Sequence, residues 1–343
     1  MAFPSGSARL TGYATLVFLF LSTLPVYGQH LPDGATDWYL HRSDATELYV
    51  VEFGTASATE DPVVVLHGGW GAEQSYLWDA LMPLASEHRF VLFDQRGSLR
   101  SPAPDSTISV QHMIADIEAL RHELGHEQIT IFAHSMGARL AYMYLDAHPN
   151  RVRRLALAGP VVPTGFDAVP QDTLDASGRA FLEWAERRQG PEIADEGLDR
   201  DTLSSRERTA RWRIRFASGN IYHIERWRQL KGGRAFYNGD IPSLISQNTS
   251  DSLRANQFAT LAASSVPVRV IIGDHDLADF GLVAWPAVAE SLETVEVTAL
   301  KQAGHNAWID RPGRFRDALH RALLAPVADT RASRRAAEDR ADE

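Results

Sequence analysis

The stretch Ile129-Thr-Ile-Phe-Ala-His-Ser-Met-Gly137 decides how this chain is read. Its first half is an apolar, β-branched run of the kind that fills a central strand. Residues 136–147 then have helical spacing, ended by His148-Pro149. A strand that turns sharply into a helix at Ser135 lifts the serine hydroxyl out of the carboxyl edge of a sheet. Strand and helix must approach closely at such a turn, so small residues are needed two before and two after the serine. Ala133 and Gly137 supply them.

Outward from that turn, apolar runs at 48–53, 62–66, 90–93, 129–132, 155–158, 266–272 and 295–300 read as strands. Most are continuous rather than alternating, as expected for strands covered on both faces. Val110, Met113, Ile114, Ile117, Leu120 and Leu124 recur at helical spacing, and Gly125 stops that helix. This alternation predicts an α/β fold: a mostly parallel central sheet flanked by helices, with right-handed crossovers. From 164 to 266 the pattern changes. Residues 183–189, 206–215 and 221–230 are charged, Trp-bearing and helical in period. They predict a helical cap inserted between two sheet strands, which divides the core into 29–163 and 267–326.

A serine hydroxyl needs a base to take its proton, and the base needs a carboxylate to orient it. Ile271-Ile-Gly-Asp-His-Asp276 is a strand ending in acids, with Asp279 close behind. One strand later, Ala303-Gly-His305-Asn offers a loop histidine. His67-Gly-Gly-Trp-Gly71 follows another strand, and its glycines let backbone N–H groups face a developing oxyanion. The amides of Gly69 and Met136 are the candidates for that role. Asp94 and Arg96 read as a carboxylate and a guanidinium that pair to brace loops. His67 and His134 read as residues that line or support the site. His122-Glu-Leu-Gly-His126 matches the H-E-x-x-H zinc pattern, which requires both histidines on one face of a continuing helix. Gly125 falls inside the motif and a strand begins by 129, so the match reads as chance and no metal ligand is assigned.

Composition sets the outer bounds. With 44% hydrophobic and 23% charged residues, the 343-residue chain is neither wholly disordered nor a polytopic membrane protein. A net charge of −10 argues against a nucleic-acid partner. The absence of cysteine excludes disulfides, thiol catalysis and thiolate metal sites. In residues 1–28, Arg9 is the only charge, 14–26 is an uncharged and mostly apolar run, and Val26-Tyr27-Gly28 suits signal peptidase. This predicts an export signal, a mature chain from Gln29 with no stable membrane insertion, and a periplasmic or secreted location. An uncleaved N-terminal anchor is the alternative. Residues 327–343 carry too little apolar surface to order themselves and are expected to form a disordered tail.

Taken in order, these motifs resemble the α/β-hydrolase fold superfamily and, within it, the proline iminopeptidase-like (serine aminopeptidase) branch. The resemblance is carried by residues 67–71, Asp94-Gln-Arg-Gly97, Asp116-Ile-Glu-Ala-Leu120, 133–137, 273–276 and Gly304-His305. It implies Ser135 as nucleophile, His305 as base, and Asp276 rather than Asp274 or Asp279 as the orienting acid. It also implies an acyl-enzyme and no cofactor. Cap carboxylates hold the substrate's free amine in that branch, which makes Glu225 a candidate beside Trp70 and His134. Two departures stand out: the iminopeptidases usually have proline at the position of Trp70, and G-G-S-W-G where this chain has 133–137. The implied function is therefore an exported serine hydrolase of an ester or amide, such as an aminopeptidase removing an N-terminal residue from a short peptide. A carboxylesterase or lactonase on a small acyl substrate is the alternative. A non-catalytic binding protein and a zinc protease through His122 and His126 are the remote ones. Trp184, Trp212, Tyr222, Trp227, Phe236 and Tyr237 stand open between lining a pocket and filling the cap's own core.

Overall fold

Strands β1 (Thr36–His41), β2 (Glu47–Gly54), β3 (Val63–Leu66), β4 (Arg89–Phe93), β5 (Ile129–His134), β6 (Val152–Ala158), β7 (Val268–Gly273) and β8 (Val295–Leu300) form one sheet. Their order across it is β1-β2-β4-β3-β5-β6-β7-β8. β1 and β2 pair antiparallel, as do β2 and β4, and every other pairing is parallel. The computed structural model describes residues 31–55, 62–231, 237–249 and 256–324. The expected export signal, the expected tail and Phe236 lie outside them. The chain divides into Met1–Leu31, of which only Leu31 is described, and Pro32–Glu343, which carries all the elements below.

Continuous apolar sequence explains the middle of the sheet. Every residue of β3, β5 and β7 is buried, because helices cover both faces. α1 (Trp78–Leu81), α2 (Val110–Glu123) and α3 (Gly137–Ala147) belong to the first half of the core. α8 (Ala284–Ser291), α9 (Ala307–Asp310) and α10 (Pro312–Leu324) belong to the second. Ser109 caps α2 by accepting from the amide of His112, and the helix stops where Gly125 takes a φ of 73°. β1 is not legible as a strand in the sequence, since only Leu40 of its six residues is buried. Between β6 and β7 run α4 (Gln171–Asp195), α5 (Ser205–Asn220), α6 (Ile241–Asn248) and α7 (Gln257–Ala263). The segment 221–230, helical in period, forms only a short 3-10 turn at Ile224–Gln229.

The braces between loops differ from the expected pairing. Arg96 does not meet Asp94. It is buried and donates Nε and Nη2 to the two oxygens of Asp116, 2.7 Å each, and Nη1 to Asp44 at 2.9 Å. Asp94 pairs instead with Arg100, whose Nε lies 2.9 Å from Oδ2, and accepts from the Gln74 amide at 3.0 Å. Sequence separation hides such a swap, because both guanidiniums lie within six residues of Asp94.

Topology then dictates where a site can form. The chain leaves β3 toward β4 on one side and leaves β5 toward β6 on the other, although β3 and β5 are neighbours. The loops after these two strands therefore separate and open a crevice at their carboxyl ends. Among the described residues no helix is long and apolar enough to cross a membrane.

Candidate active site

Ser135 occupies the turn between β5 and α3 with a φ of 55°, a left-handed conformation that costs a residue with a side chain about 1–3 kcal/mol. Its amide donates to the Ala158 carbonyl at 3.0 Å, which ties the turn to β6. A Cβ at Gly137 would lie 2.4 Å from the Leu66 carbonyl oxygen, so only glycine lets the start of α3 rest against β3. The strain is thus held in place by backbone on two neighbouring strands.

Asp276 follows β7 and His305 follows β8, both buried. His305 Nδ1 donates to Asp276 Oδ1 at 2.8 Å, which leaves Nε2 as the nitrogen able to accept a proton. The same Oδ1 accepts from the Ala278 amide at 2.8 Å, fixing the carboxylate from behind. The neighbouring acids are engaged elsewhere. Asp274 bonds His275 at 2.7 Å, and Asp279 accepts the amides of Val283, Ala284 and Trp285, 2.8 Å each, at the start of α8. Gly159, with a φ of 48°, sits against the pair: a Cβ there would lie 2.6 Å from Asp276 Oδ2 and 2.9 Å from His305 Nδ1.

One run of hydrogen bonds joins the loops around Ser135. The Gly68 amide donates to the Tyr76 hydroxyl at 2.7 Å, and that hydroxyl donates to His134 Nδ1 at 2.7 Å. His134 Nε2 in turn donates to the His305 carbonyl at 3.3 Å. Burial, reinforced by His305 beside it, holds His134 well below the ordinary imidazole value, so it stays neutral as this pattern requires. His67 is also lowered by burial; its Nε2 accepts the Gln95 amide at 3.1 Å, and it braces the loop against the end of β4. Neither the Gly69 nor the Met136 amide has a partner among the described residues. Both lie where the loop after β3 meets the turn at Ser135.

A cleft of about 370 Å³ opens above these groups and is lined by Gly69, His134, Ser135 and His305 from the sheet side. Trp212, Phe216, Asn220 and Tyr237 line it from the insertion. Of the weaker candidates, His134 is there, whereas Trp70 packs against the apolar core and does not line the cleft. Glu225 is 62% exposed, sits 3.1 Å from His223 and does not line it either. Among the described residues, the one acid on its wall is Glu73. It already accepts from the Ser75 amide and hydroxyl at 2.7 Å each and from Arg100 at 2.8 Å. Among the same residues, Lys231 is the one cation on the wall, paired with Asp79 at 2.7 Å. The insertion's aromatic residues divide. Trp184 and Tyr222 pack on His275 with centroids 5.0 and 4.7 Å away, and Trp227 is buried under Arg228. Tyr76, Phe216 and Asn220 join the site without having been expected from the sequence. Phe216 carries a signal in its spacing of four from Trp212; Tyr76 carries none.

The zinc-like motif does not assemble. α2 ends at Glu123, His122 turns to Glu118 at 3.2 Å, and His126 lies beyond Gly125 with its amide on the Arg121 carbonyl. Among the described residues no three histidine or acidic side chains are grouped to hold a metal.

The chain belongs to the alpha/beta hydrolase fold family, which matches residues 61–312, and is a hydrolase. Within that family it is proline iminopeptidase-like. It is 29% identical over 303 residues to the proline iminopeptidase of Neisseria meningitidis serogroup A, covering 75% of this chain and 95% of that one. It is 39% identical to a probable proline iminopeptidase of Streptomyces coelicolor over 133 residues, 37% of this chain and 40% of that protein. Among solved structures, a proline iminopeptidase-related protein of Thermus thermophilus superposes with a TM-score of 0.60 at 24% identity, covering 85% of this chain and 98% of that one. An esterase from Exiguobacterium antarcticum gives 0.59 at 20% identity, covering 84% and 100%. At these identities the solved structures share the fold.

Proposed function

We propose that the protein is a serine hydrolase in which Ser135, His305 and Asp276 act in sequence on an ester or amide carbonyl. The observation that carries this reading is the 2.8 Å bond from His305 Nδ1 to buried Asp276, behind a cleft that Ser135 shares. His305 Nε2 takes the hydroxyl proton as Ser135 Oγ attacks the carbonyl carbon. The carbonyl oxygen becomes an oxyanion held by the amides of Gly69 and Met136. His305 then passes its proton to the leaving oxygen or nitrogen as that bond breaks, and the acyl group stays on Ser135. Water, deprotonated by His305, releases the acid and restores the serine. Asp276 keeps the imidazole in the productive tautomer and stabilises its charged form.

Two substrate classes fit this chemistry. The iminopeptidase relatives favour an aminoacyl amide with a free N-terminal amine. The described cleft wall favours an ester or lactone, because its one acid, Glu73, is already engaged by Ser75 and Arg100 and its other groups are mostly aromatic and apolar. In this reading the insertion acts as a cap, and residues 1–28 as an export signal that N-terminal sequencing of the mature protein would reveal as missing.

The test compares wild type with Ser135→Ala on short p-nitrophenyl esters, a lactone and aminoacyl arylamides including prolyl. The variant is expected to lose on the order of 10⁶-fold in kcat. Equal turnover by the two proteins would refute the assignment of the nucleophile.

A further inference from the structure

α5 is an arginine-rich helix, and Ile214, Ala217 and Ser218 are the residues it buries. Its two large aromatic side chains are not part of that buried face. Trp212 and Phe216 stand four residues apart, and Asn220 four further on, so the three share one ridge of the helix. All three line the cleft of Ser135 and His305. The rings of Trp212 and Phe216 lie 5.4 Å apart and within 10° of parallel, and Phe216 remains 39% exposed. Burying the exposed part of such surface against a bound group would be favourable.

The ridge has a fixed origin. The Asn306 amide donates to the Asn220 carbonyl at 2.8 Å. A Cβ at Gly304 would lie 2.9 Å from the Ile221 Cα, so the end of α5 is pressed on the loop that carries His305. From there the ridge climbs about 12 Å over eight residues to Trp212. Leu277, 42% exposed, and Tyr237, 43% exposed, also line the cleft.

We propose that the Trp212–Phe216 platform binds a flat aromatic or extended apolar group of an uncharged ester, and that this enzyme does not select for a free N-terminal amine. The inference rests on the reading of Ser135 as nucleophile. The apolar group can belong to the acyl or the alcohol side, since either one flanks the carbonyl at Ser135.

Four substrates separate the possibilities: ethyl acetate, 2-naphthyl acetate, methyl 2-naphthylacetate and prolinamide. Each is followed by acid or ammonia release with wild type, Trp212→Ala, Phe216→Ala, Phe216→Tyr and Ser135→Ala. Ratios of variant to wild type cancel the intrinsic reactivity of each substrate. Phe216→Ala and Trp212→Ala are expected to lower kcat/KM for at least one naphthyl substrate about tenfold, chiefly through KM. Ethyl acetate should change by less than about twofold, and Phe216→Tyr should restore the aromatic preference. The naphthyl substrate that responds identifies the side held. An equal fall on ethyl acetate and the naphthyl esters would reduce Trp212 and Phe216 to structural residues and overturn the proposal. So would no fall at all, or prolinamide turned over by wild type with the highest kcat/KM. Activity that survives Ser135→Ala would overturn the nucleophile itself, a failure that the Phe216→Ala ratios do not mimic.

Discussion

Ser135 and Gly159 both hold positive φ, at 55° and 48°, and each carries a local constraint that decides its residue type. Ser135 holds a left-handed turn that most residues avoid, which is why the motif around it can be read from residue types. Gly159 gives no comparable signal, because much of its reason for being glycine, beyond its φ of 48°, lies in residues 276 and 305, far along the chain. Gly159→Ala is expected to push the Asp276–His305 pair apart and lower kcat by about 10²-fold with KM little changed. Steady-state kinetics on the best ester from the panel checks this, and an unchanged kcat would mean the pair has room to spare. Asp276 is legible only up to a choice of three acids. What distinguishes it is that Asp274 and Asp279 are occupied by His275 and by the start of α8.

Helices α2 and α3 show how an element is secured where apolar spacing says nothing. Glu118 on α2 accepts from Tyr144 on α3 at 2.7 Å and from Arg121 at 2.6 Å. Arg121, helped by the Tyr144 hydroxyl, holds this carboxyl down from 4.5 to about 2. A depressed carboxylate stabilises the fold fully above its unfolded value, and that contribution is lost as pH falls through its folded one. The stability gap between wild type and Glu118→Gln should therefore close as pH falls from 4.5 to about 2, as urea midpoints would record. A gap of constant size would remove the linkage. The apolar positions of α2 are plain from their spacing, as is its stop at Gly125. β1 is invisible for the opposite reason: an edge strand with one buried residue has no hydrophobic pattern to display.

At the scale of the whole molecule, the alternation of strands and helices reveals the sheet, while the contacts between insertion and core have no sequence signature. Asp310 is the clearest case. Buried on α9, it accepts the amides of Tyr222 and His223 from the insertion at 2.7 and 2.8 Å, and that of Gly304 at 2.9 Å. Any acid beside a helix has solvent as an equal partner in sequence, so nothing marks this one. Asp310→Ala leaves three amides without an acceptor and should cost at least about 2 kcal/mol in denaturant unfolding. It should also lower kcat, because Gly304 adjoins His305. Full stability in that variant would show that the insertion is held by its other contacts.

In the proposed reading, the floor that attacks a substrate and the wall that reads it come from separate stretches of the chain. Ser135 hangs from one of the two central strands of the sheet, whereas Trp212 and Phe216 stand on a helix fastened to the core at its far end. On that reading, turnover and discrimination are separable properties of the molecule. Exchanging one ridge of α5 is then expected to redirect the proposed activity while its reactive centre stays untouched.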